Sequence, residues 1–184
     1  MFARNALLDL RNAALALSLL SIAALACARA DADPAQPKVT EPHVSAATPV
    51  AAGDYLLRVG SCDDCHTPGW AESGGTLTDS VRLMGAPLGF RGPWGTSYPA
   101  NLRLSVQGKT VTEWVAGIRT RQGLPPMPWF TLQRMADRDL EAIYAYLTQL
   151  GPRGEPVPAA LPPDVEPSTP YVVFAPVFPK EVVQ

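Results

Sequence analysis

Two of the three cysteines and one of the two histidines in this 184-residue chain lie within five residues, Cys62–His66. The order Cys-Asp-Asp-Cys-His permits three chemistries: a metal site, a disulfide, or covalent attachment of a prosthetic group. A structural zinc site needs four ligands, and the remaining histidine, His43, lies in a segment expected to be a tether. A thioredoxin-type dithiol follows a strand in a βαβ unit, and no such pattern surrounds the motif.

The third chemistry fits the spacing, because Cys-x-x-Cys-His is the pattern for covalent attachment of haem c. Cys62 and Cys65 are the candidate attachment residues, and His66 is the candidate ligand on one face of the iron. We expect His66 to bind iron through Nε2 and to donate its Nδ1–H to a backbone carbonyl. The candidate acceptors are proline carbonyls of the following loop: Pro68, Pro87 and Pro93.

The second axial ligand is sought among the methionines. Met127 lies in LPPMPWF, where three prolines stiffen the backbone around the thioether and reduce the entropy lost when a weak ligand binds. Met84, in VRLMGAP, is the alternative, and Met135 has the position of an ordinary packing residue. We therefore expect Met127 to be the distal ligand.

Ligation by histidine and methionine raises the reduction potential and leaves no open position on the iron, which favours electron transfer over oxygen chemistry. No catalytic residue is expected, so the chain is interpreted as a non-enzyme. The alternative is a haem-based protein that binds or senses a gas or small ligand, with a labile methionine. A peroxidase-type enzyme is disfavoured because there is one motif. Candidates for tuning the potential are Arg91, Trp94, Tyr98 and Asn101.

Three helices are predicted to position these residues. The first runs from about Ala52 to Val59. The second begins at a capping box formed by Thr110 and Glu113 and stops near Gly123. The third follows an N-cap at Asp137 and ends at Gly151. Long Gly- and Pro-rich loops join them, no segment alternates like a strand, and so small a core needs a haem to fill it. The predicted fold is all-α, with three to five short helices around one covalently attached haem.

The first 30 residues have the features of a signal peptide: arginines, then the apolar run AALALSLLSIAALA, then a small-x-small site at Ala28–Ala30. AALAC also resembles a lipobox, in which case Cys27 would be acylated. Residues 31–50 are predicted to be a disordered tether. The expected location is the periplasm, either soluble or held at the membrane only through Cys27. The net charge of −2 gives no indication of nucleic-acid binding.

The region from about Ala51 to Leu150 resembles class I c-type cytochromes in its order of helix, CxxCH, loop, helix, methionine loop and C-terminal helix. More narrowly, it is similar to the haem modules in cytochrome c subunits of bacterial periplasmic alcohol and gluconate dehydrogenases. The shared stretches are GDYL, CDDCHT, GPWGTSYPANL, EWVAGIRTRQG, MPWF and DRDLEAIYAYL. The resemblance implies Cys62 and Cys65 as attachment sites, with His66 and Met127 as iron ligands.

The resemblance also implies that the first helix packs on the last near Gly53, Tyr55, Tyr144 and Leu147. As for partners, it implies a periplasmic dehydrogenase as electron donor and a cytochrome or terminal oxidase as acceptor. Those subunits carry three haem modules, whereas this chain has one motif. LRLSVQGKT replaces their acidic, glycine-rich turn, so the partner dehydrogenase is expected to differ.

Residues 151–184 form a Pro-rich C-terminal extension outside the resemblance. Its first part is expected to be extended and to lack a core of its own. Its end, YVVFAPVF, is too apolar for a free tail. Two hypotheses follow: the extension folds back over the haem domain, or it docks on a partner subunit.

Overall fold

The computed structural model describes residues 42–176. The predicted signal peptide, the lipobox cysteine Cys27 and most of the predicted tether lie outside these residues. Within 42–176, no helix has the length and apolar character needed to span a membrane.

Six helices lie within the described range: α1 (Pro49–Val59), α2 (Cys62–His66), α3 (Leu102–Ser105), α4 (Val111–Thr120), α5 (Trp129–Leu132) and α6 (Asp137–Leu150). The three predicted helices correspond to α1, α4 and α6. Helix α1 begins earlier than predicted, because the Thr48 side chain accepts a hydrogen bond from the Ala51 N–H and Pro49 occupies the first turn.

The prediction that residues 31–50 are disordered is therefore wrong for the last residues of that range. Pro49 and Val50 belong to α1, and Val44 packs against the core. The Val44 N–H also donates a hydrogen bond to Asp139 in α6, at 2.8 Å. The ordered domain thus begins before residue 51.

The helix boundaries test the capping predictions. The capping box at Thr110 and Glu113 is confirmed in both of its hydrogen bonds, although α4 ends at Thr120 rather than near Gly123. The N-cap predicted at Asp137 is wrong: Ala136 is the N-cap, without a side-chain bond. Asp137 is instead the first helical residue. There its negative charge interacts favourably with the helix dipole, and its carboxylate pairs with Arg119.

Helices α1 and α6 form the main helix pair, as the resemblance implied. Gly53 faces the backbone of Ala142, and Leu147 is buried in the core. The implied roles of the tyrosines are wrong, since Tyr55 is mostly exposed and Tyr146, rather than Tyr144, meets Gly53. Tyr144 packs on Trp114 of α4, with ring centroids 6.0 Å apart.

The structure also contains a small three-stranded sheet, which was not predicted from the sequence. Its strands are β1 (Gly89–Gly92), β2 (Gly95–Ser97) and β3 (Tyr171–Val173), in the order β2-β1-β3. β1 pairs antiparallel with β2 and parallel with β3. Strands of three or four residues are too short to show alternation, and β3 pairs with a segment about 80 residues earlier in the chain.

The C-terminal extension lies on the domain as far as Pro176. Arg91 of β1 donates hydrogen bonds to the carbonyl oxygens of Val165 and Pro163. Thr96 of β2 exchanges two backbone hydrogen bonds with Leu161. The extension therefore folds back over residues 42–150, as the first of the two hypotheses predicted, and its backbone is hydrogen-bonded to the loop after the CxxCH motif.

Candidate haem-binding site

Helix α2 carries the whole CxxCH motif. Ser61 joins it to α1 in a left-handed conformation with φ 54°, which makes a sharp turn between the two helices. Cys62 and His66 are four residues apart, so they share one face of the helix. Cys62 is half-buried and Cys65 is exposed, and neither is in a disulfide.

The electrostatic surroundings of the thiols oppose ionisation. Burial raises the pKa of Cys62 to about 11, with a further contribution from Asp63. Burial also raises the pKa of Cys65, and the negative charge of Asp64 raises it further. Reactive dithiols have a lowered cysteine pKa, so this arrangement has the opposite character to that of a redox dithiol.

His66 is buried, and its ring is fixed by the backbone. Nδ1 lies 2.7 Å from the carbonyl oxygen of Ala100, to which it donates when Nε2 carries the metal. Burial lowers the pKa of His66, which favours the neutral imidazole needed in a metal ligand. A backbone carbonyl acceptor was predicted correctly, but the proposed prolines Pro68, Pro87 and Pro93 were wrong.

Ala100 acts through its backbone, so its residue type carries no signal, and it is 34 residues from His66. The chain brings it there through the segment Arg82–Ala86. Gly85 donates its N–H to the His66 carbonyl at 2.8 Å, and Ala86 donates to Pro99 at 3.2 Å. This segment connects α2 to the turn that precedes α3.

The three candidate methionines have different environments. Met127 is half-buried between α4 and α5, and its carbonyl accepts the Trp129 N–H at 2.9 Å. Met84 lies near the C-terminal extension: a β-carbon built at Gly154 would be 3.4 Å from its sulfur. Met135 packs against the core, as predicted for an ordinary packing residue.

Of the four candidates for tuning the potential, three are engaged elsewhere. Arg91 and Tyr98 bond to the C-terminal extension, Tyr98 through the hydroxyl of Thr169. Asn101 caps α3 and donates to the Arg153 carbonyl. Trp94 differs, because its buried indole N–H has no hydrogen-bond partner among residues 42–176. A buried donor normally has a hydrogen-bond partner.

The residues present fit a covalently bound haem. The fit rests on two unbridged thiols at the required spacing and on a buried histidine whose Nδ1 is held by a carbonyl. Across residues 42–176, no group of three or more His, Cys, Asp and Glu side chains is arranged to hold a metal ion.

No family model matches the chain, and no curated protein or solved structure is significantly similar to it.

Proposed function

We propose that this chain is an exported monohaem cytochrome c of the class I type, whose helical domain carries a small additional sheet, and that it relays single electrons. One observation carries the proposal: Cys62 and Cys65 are unbridged beside a buried His66 whose Nδ1 is bound to Ala100. A haem bound at this motif would supply a one-electron iron couple.

The residues of the motif would have two roles: the cysteines would attach the haem, and the histidine would bind its iron. Cys62 and Cys65 would each hold the haem by a thioether, formed when the thiol adds across a vinyl double bond, so that no oxidant is consumed. His66 would bind iron through Nε2, with the ring orientation set by Ala100. Met127 would be the second iron ligand.

The proposed partners are a periplasmic dehydrogenase that supplies electrons and a cytochrome or terminal oxidase that accepts them. The surface next to Met127 supports a docking role, because Phe130 and Leu124 are both exposed there. Phe130 lies in α5 and Leu124 in the segment before it, and contiguous exposed apolar surface is typical of a face that meets another protein.

The test is the optical spectrum of the purified protein, oxidised and reduced, with and without carbon monoxide. We expect a low-spin spectrum with the ferric iron–methionine charge-transfer band and no response to carbon monoxide. A high-spin fraction or ready binding of carbon monoxide in the unaltered protein would instead indicate a sensor with an open iron.

Two methionine variants identify the ligand. Met127→Ala is expected to lose the charge-transfer band and to bind carbon monoxide, because it removes the proposed second iron ligand. Met84→Leu is the matched control and should keep the spectrum of the unaltered protein. Loss of the band in Met84→Leu but not in Met127→Ala would assign the ligand to Met84.

A further inference from the structure

The carbonyl oxygen of Ala100 that lies 2.7 Å from Nδ1 of His66 belongs to the turn that precedes α3. One side of this turn is attached to the loop that follows the CxxCH motif, because the Leu102 N–H donates to the Leu83 carbonyl at 2.9 Å. Leu83 is fully buried. This side of the turn is therefore held by the interior of the domain.

The loop after the motif is itself firmly anchored. Arg82 of this loop and Asp63 of α2 are both buried and form an ion pair, with Nη2 and Oδ2 2.7 Å apart. Gly85 donates its N–H to the His66 carbonyl at 2.8 Å. His66 is thus bonded to this loop through its backbone and to the turn through its ring.

The other side of the turn is held by the C-terminal extension, through the buried residue Asn101. Its amide group donates to the carbonyl oxygens of Arg153 at 2.8 Å and of Glu155 at 3.3 Å. Its amide oxygen accepts the Leu104 N–H at 3.3 Å and so caps α3. The donor group of this side chain is therefore used to bind the extension.

A second buried side chain, that of Arg103, binds the chain where the extension begins. Its Nε donates to the Gly151 carbonyl at 2.7 Å, and a terminal nitrogen donates to the Leu150 carbonyl. Asn101 and Arg103 lie within three residues of Ala100. The start of the extension is therefore attached next to the carbonyl that binds His66.

The extension also reaches the loop that holds the His66 carbonyl. A β-carbon built at Gly85 would lie 2.7 Å from Cγ1 of Val157, so the valine side chain packs directly on the glycine. Residues 151–157 therefore contact both parts of the chain that bond to His66: Gly85, which binds its carbonyl, and the turn whose carbonyl binds its ring.

We propose that residues 151–157 position His66 in the haem-loaded protein, and that Asn101 is the positioning residue through which they act. This inference rests on the proposed function. A hydrogen bond from Nδ1 to a carbonyl makes the imidazole a more basic ligand, and a more basic ligand favours ferric iron and lowers the reduction potential. Asn101 holds the Ala100 carbonyl against His66 and so keeps the potential low.

The first test compares Asn101→Ser with Thr169→Val in the full-length, haem-loaded protein. Serine retains an uncharged N-cap oxygen for α3 but has no amide group to bind the extension. Thr169→Val removes a different bond of the extension, that between the Thr169 hydroxyl and the Tyr98 hydroxyl at 3.0 Å. We expect Asn101→Ser to raise the reduction potential and Thr169→Val to leave it unchanged.

A second readout reports on the His66 ring directly. Exchange of the Nδ1–H with solvent, followed by NMR in the reduced protein, should be several-fold faster in Asn101→Ser, because the Ala100 carbonyl is held less closely. The backbone amide of Leu140, a fully buried core residue, is the reference for global unfolding, and its exchange should change less. The iron–methionine charge-transfer band should remain, which separates an effect on His66 from loss of the second ligand.

The contact can also be changed from the side of the extension, at Gly154. A β-carbon there would lie 3.3 Å from Nδ2 of Asn101, whereas one at Gly108 would have no neighbour within 4 Å. Both glycines have a positive φ, 74° and 68°, so alanine is similarly strained at either position. Gly154→Ala is expected to raise the potential, as Asn101→Ser does, and Gly108→Ala should leave it unchanged.

The proposal is overturned if the potential and the Nδ1–H exchange of Asn101→Ser match those of the unaltered protein, or if Thr169→Val changes both to the same extent. Equal acceleration of exchange at His66 and Leu140 would also overturn it, because Asn101 would then act on overall stability alone. An unaltered protein without covalent haem would instead refute the proposed function, and the inference with it.

Discussion

At the scale of single residues, the buried guanidinium of Arg82 is the main electrostatic feature of the site. Burial alone would lower its pKa, but the carboxylates of Asp63 and Asp54 raise it, so it stays charged. Arg58 offers a natural comparison, because it also bonds to Asp54, at 3.0 Å, but from an exposed position. The same residue type therefore has a structural role at one position and a surface role at the other.

Arg82→Met is expected to lower the free energy of unfolding by about 3–5 kcal/mol, because it leaves a buried carboxylate unpaired. Arg58→Met, the matched control, should cost about 1 kcal/mol or less, since exposed pairs contribute little. Denaturant unfolding of the haem-loaded variants measures both. Equal losses would show that burial of the Asp63 pair does not set its contribution to the free energy of unfolding.

The Tyr146 hydroxyl gives the site a pH dependence in the alkaline range. Burial, and then its hydrogen bond to Asp79, raise the pKa of Tyr146 far above its usual value. The groups that face it are Arg82, Asp79 and Asp54. In the unfolded chain tyrosine ionises at about pH 10. The folded protein holds this hydroxyl in its neutral form to a higher pH, so ionisation above that value favours the unfolded chain.

Because the folded pKa is raised, this stabilisation is complete below about pH 10 and is lost as the pH rises further. Unfolding free energies of the unaltered protein should therefore fall from about pH 10 upward, and those of Tyr146→Phe should fall less steeply. Urea titrations at successive pH values check this, and parallel slopes for the two proteins would contradict it.

At the scale of elements, the crossing of α1 and α6 depends on the absence of a side chain at Gly53. A β-carbon there would lie 2.7 Å from the carbonyl carbon of Ala142 and 2.8 Å from the β-carbon of Tyr146. Both are nearer than van der Waals contact, and the first is backbone, which cannot move aside alone. Gly117, in the middle of α4, has no such neighbour within 4 Å.

Gly53→Ala is expected to destabilise the protein by about 1–3 kcal/mol, because it forces the helix pair apart. Gly117→Ala should stabilise it by about 0.5–1 kcal/mol through the better helix propensity of alanine. Thermal unfolding of the two variants distinguishes them, and a shift of the same sign in both would refute the close approach at Gly53.

At the scale of the whole molecule, the C-terminal extension is part of the folded domain as far as Pro176. Phe174 packs on Phe90 and Trp94, with ring centroids 5.6 and 6.3 Å away. Its N–H donates to the Arg91 carbonyl at 2.7 Å. The extension thereby reaches the loop that holds Trp94.

Phe174→Ala should lower the free energy of unfolding by about 1–2 kcal/mol, because the ring is only partly buried. Val173→Ala, at a more exposed neighbour, is the control and should cost clearly less. Calorimetry of the isolated protein gives both values, and no loss in Phe174→Ala would show that the extension adds no stability.

The sequence by itself determined the features that depend on neighbours a few residues apart. The CxxCH spacing, the capping box at Thr110 and the apolar stripe of α6 are local patterns, because a helix repeats every three to four residues. The chemistry proposed for Cys62, Cys65 and His66 follows from that spacing alone.

Only the tertiary structure decided which distant groups meet. Asp63 and Asp64 are identical in sequence, but only one turns toward Arg82, 19 residues away. The acceptor for His66 is a backbone carbonyl at Ala100, and β3 pairs with β1, whose residues lie 82 positions earlier in the chain. Backbone groups are the same at nearly every residue. Their hydrogen-bond partners therefore depend on the path of the chain and cannot be predicted from residue type.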